Sequence, residues 1–205
     1  MTPADVVSSL TTFLGDKLQE TIEFRGETTL VILPSDLREV AKVCRDDLSF
    51  DYLLDVSSVD NFGEEPRFEM VYELYSMKLA THLRLKFRIS EDGGDMPTVS
   101  DIWPTANWHE REVYDMMGLR FADHPDLRRI LMWDEYPYFP LRKDFPLAGL
   151  PTELSDPEIT EEIKTGVISA PMAGGPFVAT PGEPMSEAEP RAKDEAWNEQ
   201  NEKPE

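Results

Sequence analysis

Between Arg67 and Ser90 the chain alternates apolar and polar residues twice, and this pattern limits its fold more tightly than any other. Phe68, Met70, Tyr72 and Leu74 share one parity, while Glu69 and Glu73 take the other. A period of two puts each set on its own face of a strand. From Thr81 onward the pattern repeats, with Leu83, Leu85, Phe87 and Ile89 on one side and His82, Arg84, Lys86 and Arg88 on the other. Joined through Ser76 to Ala80, the two runs predict an antiparallel hairpin whose exposed side sets an acidic row against a basic row. Such cross-strand pairs stabilise by roughly 0.2–1 kcal/mol each. His82 then belongs to the solvated row. The apolar side must be covered by another layer.

The preceding residues supply that cover. Val6, Val7, Leu10, Phe13, Leu14 and Leu18 recur at helical spacing after Thr2-Pro3, with Thr2 as N-cap and Pro3 in the first turn. Thr21 to Leu33 reads as a strand or short hairpin bent near Arg25-Gly26 and stopped by Pro34. A second helix over Asp36 to Arg45 carries Leu37, Val40, Ala41 and Cys44 on one stripe, where Cys44 acts as a small apolar core residue. Phe50 to Val59 reads as a further strand, followed by turn chemistry at Asp60-Asn61-Phe62-Gly63. Residues 1–97 are therefore expected to form an α+β body, a mostly antiparallel sheet with helices on one face.

Composition separates the two ends. A chain of 205 residues suits one domain plus an excess, and 40% apolar residues suffice for a core if part of the chain stays outside it. That part begins near Pro151: thirteen acids against four bases give residues 151–205 a net −9 with scattered prolines. Too little apolar area remains there to offset chain entropy, so the tail is expected to be extended or disordered alone, anchored on a partner through Phe177, Val178 and Trp197. A net charge of −21 argues against nucleic acid or an anionic membrane surface as direct partners and favours proteins with basic regions. The single cysteine removes a disulfide framework, a cysteine-based zinc site and an iron–sulfur cluster held by this chain. No run approaches the roughly 18 apolar residues of a membrane span, and Met1 to Leu14 lacks the features of a secretory signal. Any membrane attachment is expected to run through other proteins.

Residues 98–150 are denser in charge, rings and prolines than a solvated surface requires. Glu110, Arg111, Glu112, Tyr114, Asp115, His124, Asp126, Arg128, Arg129, Arg142, Lys143 and Asp144 all fall there. Asn107 to Met117 reads as a helix capped by Thr105 and stopped by Gly118, in which Arg111 and Asp115, four apart, can pair. Phe121 to Pro125 and Trp133 to Pro140 are extended and proline-rich, which puts His124 and the later cations on loops. A zinc-protease helix is ruled out because Val113 stands where a second histidine is needed. No glycine-rich phosphate loop or nucleophile elbow occurs. Glu110 and Glu112 point to different helix faces around Arg111, as ion-pair partners rather than an acid/base couple. These charges either tie the segment to its own domain or contact a neighbour, with arginines suited to carboxylates and carbonyls.

Glu110-Arg111-Glu112, Tyr114-Asp115-Met116, Gly118, Phe121, the run His124 to Leu131, and Pro140 to Pro146 closely resemble the signature of the 30-kDa (C-type) subunit of respiratory complex I, the proton-pumping NADH:quinone oxidoreductase. Asp101 to Pro104 and Ala106 to Trp108 look like that family too, whereas Asp134 to Phe139 depart from its pattern. The resemblance implies a subunit without catalytic residues or cofactors. It would sit in the peripheral arm on the cytoplasmic side of the inner (cell) membrane and bind the 49-kDa (D-type) quinone-site subunit near cluster-bearing subunits through the twelve residues named above. The holoenzyme passes electrons from NADH through FMN and iron–sulfur clusters to quinone, coupled to proton translocation. The equivalent subunit of a membrane-bound hydrogenase or related complex is the neighbouring alternative, and a free-standing adaptor domain is the alternative from another class.

Overall fold

The computed structural model describes residues 3–91 and 94–146. Helix α1 (Pro3–Leu14) buries Val6, Leu10 and Leu14 and leaves Phe13 exposed. Strands β1 (Leu18–Phe24) and β2 (Glu27–Ile32) form the expected hairpin. Its two-residue turn has Arg25 at φ 51° and Gly26 at φ 82°, the consecutive positive values that match the twist of paired strands. Helix α2 (Leu37–Lys42) and the wider helical turn over Val43–Asp47 put Leu37, Val40, Ala41 and Cys44 into the core.

Strands β3 (Tyr52–Asp60), β4 (Phe68–Ser76) and β5 (Thr81–Ile89) run antiparallel in sequence, with Ser76 opposite Thr81. The sheet order is β1-β2-β5-β4-β3. Three of its seams are antiparallel, and the fourth, β2 with β5, is parallel. One face carries Phe68, Met70, Tyr72, Leu74, Leu83, Leu85, Phe87 and Ile89 into one cluster with the helical residues. On the other face Glu69 lies opposite Arg88 and Glu73 opposite Arg84, as the alternation requires. Arg84 bridges Glu73 and Glu27 at 2.7 and 2.8 Å, Lys86 meets Glu69 at 3.0 Å, and Arg88 reaches Glu20 at 2.9 Å. His82 stacks on Tyr75 at 4.6 Å between centroids.

The core does not stop at residue 97. Val99, Ile102, Trp103, Ala106, Val113, Met116 and Phe121 belong to the same cluster as the sheet. Trp103 donates its indole N–H to the Phe50 carbonyl at 3.0 Å, fixing the approach to helix α3 (Ala106–Met117), which lies along β3. Thr105 does not cap α3 with its side chain; its hydroxyl turns to the Leu53 carbonyl instead, tying the helix start to the sheet. Gly118 ends the helix at φ 76°, where a β-carbon would be strained. Short strands β6 (Met96–Pro97) and β7 (Phe121–Ala122) pair in parallel beside it. Met1–Pro140 forms one compact unit. Leu141–Pro146 belongs to the next, where the Phe145 N–H closes a turn on the Arg142 carbonyl. Thr2 and the tail anchors Phe177, Val178 and Trp197 lie outside the described residues.

Candidate functional site

Helix α3 sends two charged side chains toward the loop that follows β7. Arg111 and Asp115 do not pair with each other as their spacing suggests. Arg111 donates to the carbonyls of Arg128 and Arg129 at 3.1 and 3.0 Å and lies 5.2 Å from the Trp108 ring. Asp115 instead accepts three successive backbone N–H groups on one oxygen, from Ile130, Leu131 and Met132 at 3.0, 2.7 and 2.8 Å. Its other oxygen takes Arg129 at 2.6 Å. Loop donors and acceptors that a part-buried segment must satisfy outcompete an i,i+4 pair worth a few tenths of a kcal/mol.

The result is a buried ionic hub. Asp115 is fully buried and Arg129 nearly so. Burial pushes the Asp115 carboxyl up, but the Met132 amide, the Arg129 guanidinium and the Ile130 and Leu131 amides outweigh it and hold the group below its ordinary range. Arg129 also donates to the Asp115 and Tyr138 carbonyls and lies 5.6 Å from the Tyr136 ring and 5.2 Å from Phe139. Trp133, Tyr136 and Tyr138 follow as an edge-to-face series at 4.6 and 5.6 Å. The stretch from Trp133 to Phe139 is therefore a turn, closed by the Tyr136 N–H on the Trp133 carbonyl and packed around Arg129.

Glu110 points the other way, into the body, and its expected ion pairing with arginine does not form. It accepts the Thr98 hydroxyl and the Val99 N–H, the latter at 2.9 Å. Burial pushes its carboxyl up to about 7 against those two hydrogen bonds. The His124 side chain, equally buried, brings Nε2 within 3.8 Å of Glu110. Its tautomer follows from its neighbours: Nδ1 accepts the Asp126 N–H at 3.0 Å, so the proton sits on Nε2 and is donated to the Asn107 carbonyl at 3.2 Å. Burial lowers the His124 pKa, and charging Nδ1 would also break the Asp126 contact. His109 contacts Asp55 at 3.3 Å, and no group of three metal-ligating side chains occurs among the described residues.

The remaining candidates range from half-buried to exposed. Asp126 and Arg128 form an exposed pair at 2.8 Å. Glu112 is exposed and Tyr114 half-buried; in the following unit Arg142 and Lys143 are half-buried and Asp144 is exposed. Pattern reading missed Thr98 and the Val99 amide, because no periodicity marks a backbone donor. It also missed the bidentate Arg38–Asp101 clasp, at 2.8 and 2.7 Å across 63 residues. Over the hub four large apolar side chains stay exposed: Trp108 at 60%, Leu131 at 58%, Trp133 at 53% and Tyr138 at 44%. No helix of the described residues is long and apolar enough to cross a membrane.

Residues 30–151, which take in β3, β4, β5 and this hub, match the family of the respiratory-chain NADH dehydrogenase, 30 Kd subunit. The chain belongs to this family. Among its relatives, the C-type subunit of NADH-quinone oxidoreductase from Geotalea uraniireducens is 44% identical over 66% of this chain and 82% of its own length. The counterpart from Geobacter metallireducens is 48% identical over 62% of this chain and 79% of its own. In solved structures, the trypsin-resistant fragment (1–134) of Nqo5 matches with a TM-score of 0.54 at 26% identity, over 62% of this chain and 100% of that one. A chain of the membrane-bound sulfane sulfur reductase, an archaeal respiratory membrane complex, matches with a TM-score of 0.61 at 25% identity, over 79% of this chain and 91% of its own. The residues that match the 30-kDa family thus include the hub and the loop packed around it.

Proposed function

We propose that the chain is a non-catalytic peripheral-arm subunit of NADH:quinone oxidoreductase that binds and supports the 49-kDa quinone-site subunit. One observation carries this reading beyond family membership. Glu110, Arg111, Asp115, His124 and Arg129 are used internally, and the loop that Arg111, Asp115 and Arg129 hold in place carries a set of exposed rings. Clustered large apolar side chains on a surface mark an interaction site. Of the twelve signature residues, Glu112, Tyr114, Asp126, Arg128 and the Arg142–Asp144 group then serve contact, while the buried five serve rigidity. Electrons would pass from NADH through FMN and iron–sulfur clusters in other subunits to quinone, coupled to proton translocation. This chain would bind none of these groups and would attach on the cytoplasmic side of the membrane through its partners.

The likeness to a chain of the sulfane sulfur reductase supports a second reading, an equivalent place in a hydrogenase-like or related complex. The higher identity to relatives named for NADH-quinone oxidoreductase favours the first. Affinity purification of the tagged chain from its native membrane separates them. Recovery with flavin- and cluster-bearing subunits and NADH-dependent quinone reduction is expected. Recovery with hydrogenase-type subunits would favour the second reading, and recovery of the chain alone would leave a free-standing adaptor.

A further inference from the structure

We infer that the surface above the hub takes a protein segment with an apolar centre and a basic rim, contributed by the neighbouring subunit. This rests on the assembly reading and specifies the chemistry of the partner. The exposed rings are tied together through the hub: Trp108 lies on Arg111, Arg111 holds the Arg129 carbonyl, and Arg129 packs on Tyr136, which meets both Trp133 and Tyr138. Leu131 joins this surface because its N–H is fixed on Asp115.

The charges at its border do not balance. Glu112 lies four residues after Trp108, on the same face of α3, and is exposed. Asp134 and Glu135 are exposed between Trp133 and Tyr136. None of these three carboxylates has a hydrogen-bonded or salt-bridged partner among the described residues. The arginines around this surface are already engaged: Arg111 on carbonyls, Arg129 on Asp115, and Arg128 on Asp126. With Asp115 and Asp126 counted, five carboxylates stand against three arginines, and although Arg128 also feels Asp134 through space, the border keeps a net charge of −2. Covering it with a neutral or acidic surface would strand those carboxylates away from water with no counter-charge, which disfavours binding. An anionic lipid surface or nucleic acid is repelled for the same reason. Lysine or arginine side chains answer the carboxylates and can also stack on the exposed tryptophan and tyrosine rings.

The test uses the full tagged chain in its native complex. Neutralising all three positions (Glu112→Gln, Asp134→Asn, Glu135→Gln) should reduce retention in a salt wash roughly tenfold, and reversing all three to lysine should reduce it further. The wild-type complex gives a reading free of any substitution: rising salt should release the chain, and the neutralised variant should lose most of that dependence. Amide exchange at Ile130 to Met132 reports whether each variant keeps the hub. Retention of both variants at the wild-type level, or salt-independent release of the wild type, overturns the basic rim. Absence of the wild-type chain from the NADH dehydrogenase overturns the assembly reading instead, so the two failures are distinguishable.

Discussion

Glu110 and His124 are two buried titratable groups whose shifts oppose one another. Raising the Glu110 carboxyl from 4.5 to about 7 means that the folded chain prefers the protonated acid. Its contribution is fully present below the unfolded value and is lost as pH rises through about 7, on the order of 3 kcal/mol in total. His124, lowered by burial, works in the other direction: its neutral form is favoured in the fold, and stability falls as pH drops below its ordinary 6.5. The slopes partly cancel between about pH 5 and 6.5, and above that only Glu110 acts. Urea denaturation of the wild type should therefore show a shallow profile up to pH 6.5 and a decline toward pH 8. Glu110→Gln, which keeps an acceptor for the Val99 N–H, should instead gain stability up to pH 6.5 and then level off. A variant that still declines above pH 6.5 would remove Glu110 as the cause. Asp115 has the opposite linkage. Its depressed pKa contributes stability above about pH 4, lost on further acidification, and Asp115→Ala leaves Arg129 and three amides unanswered. A loss of roughly 3–5 kcal/mol is expected, with faster exchange of the 130–132 amides. Unchanged exchange there would mean that the loop is held by something else.

At the scale of elements, the two adjacent arginines after Leu127 separate internal from external roles. Arg128 is exposed and its salt bridge is with the exposed Asp126, so Arg128→Glu should leave stability almost unchanged. Arg129→Glu places a second carboxylate against Asp115 and should unfold the turn from Trp133 to Phe139, seen as loss of its aromatic near-UV dichroism. Equal effects of the two would contradict the hub. The surface the turn supports has its own test: Trp133→Ala with Leu131→Ala should weaken co-purification at least tenfold with little change in melting, because large exposed anchors carry binding rather than folding energy. These roles were only partly legible in the sequence. The β4–β5 hairpin was, since its period of two fixes both faces and the register of its acidic and basic rows. The α3 helix and its Gly118 stop were legible as well. The destination of each α3 charge was not, because the Arg111–Asp115 pair that local spacing favours competes with loop groups 14 to 18 residues away.

Over the whole molecule the same limit applies to topology. Alternation predicts the β4–β5 hairpin, and the run from Thr21 to Leu33 a strand or short hairpin, but neither can say that β2 docks in parallel on β5, since that seam joins Thr29 to Arg84 across the helices and two strands between them. Cysteine chemistry, by contrast, was fixed by a count and is sharpened by position. Cys44 is the single cysteine, lies fully buried on its helical stripe, and has its thiol pushed up to about 12 by that burial. A cluster or soft-metal site needs thiolates, so the one candidate ligand is both solitary and held protonated. The native chain should resist a thiol reagent at pH 8 and react with one equivalent in urea. Purified by itself it should have no visible absorption, while the complex that contains it should have the bands of flavin and iron–sulfur clusters. Stoichiometric iron or flavin on the isolated chain would assign it a redox role and displace the reading of a subunit that shapes the site without performing the chemistry.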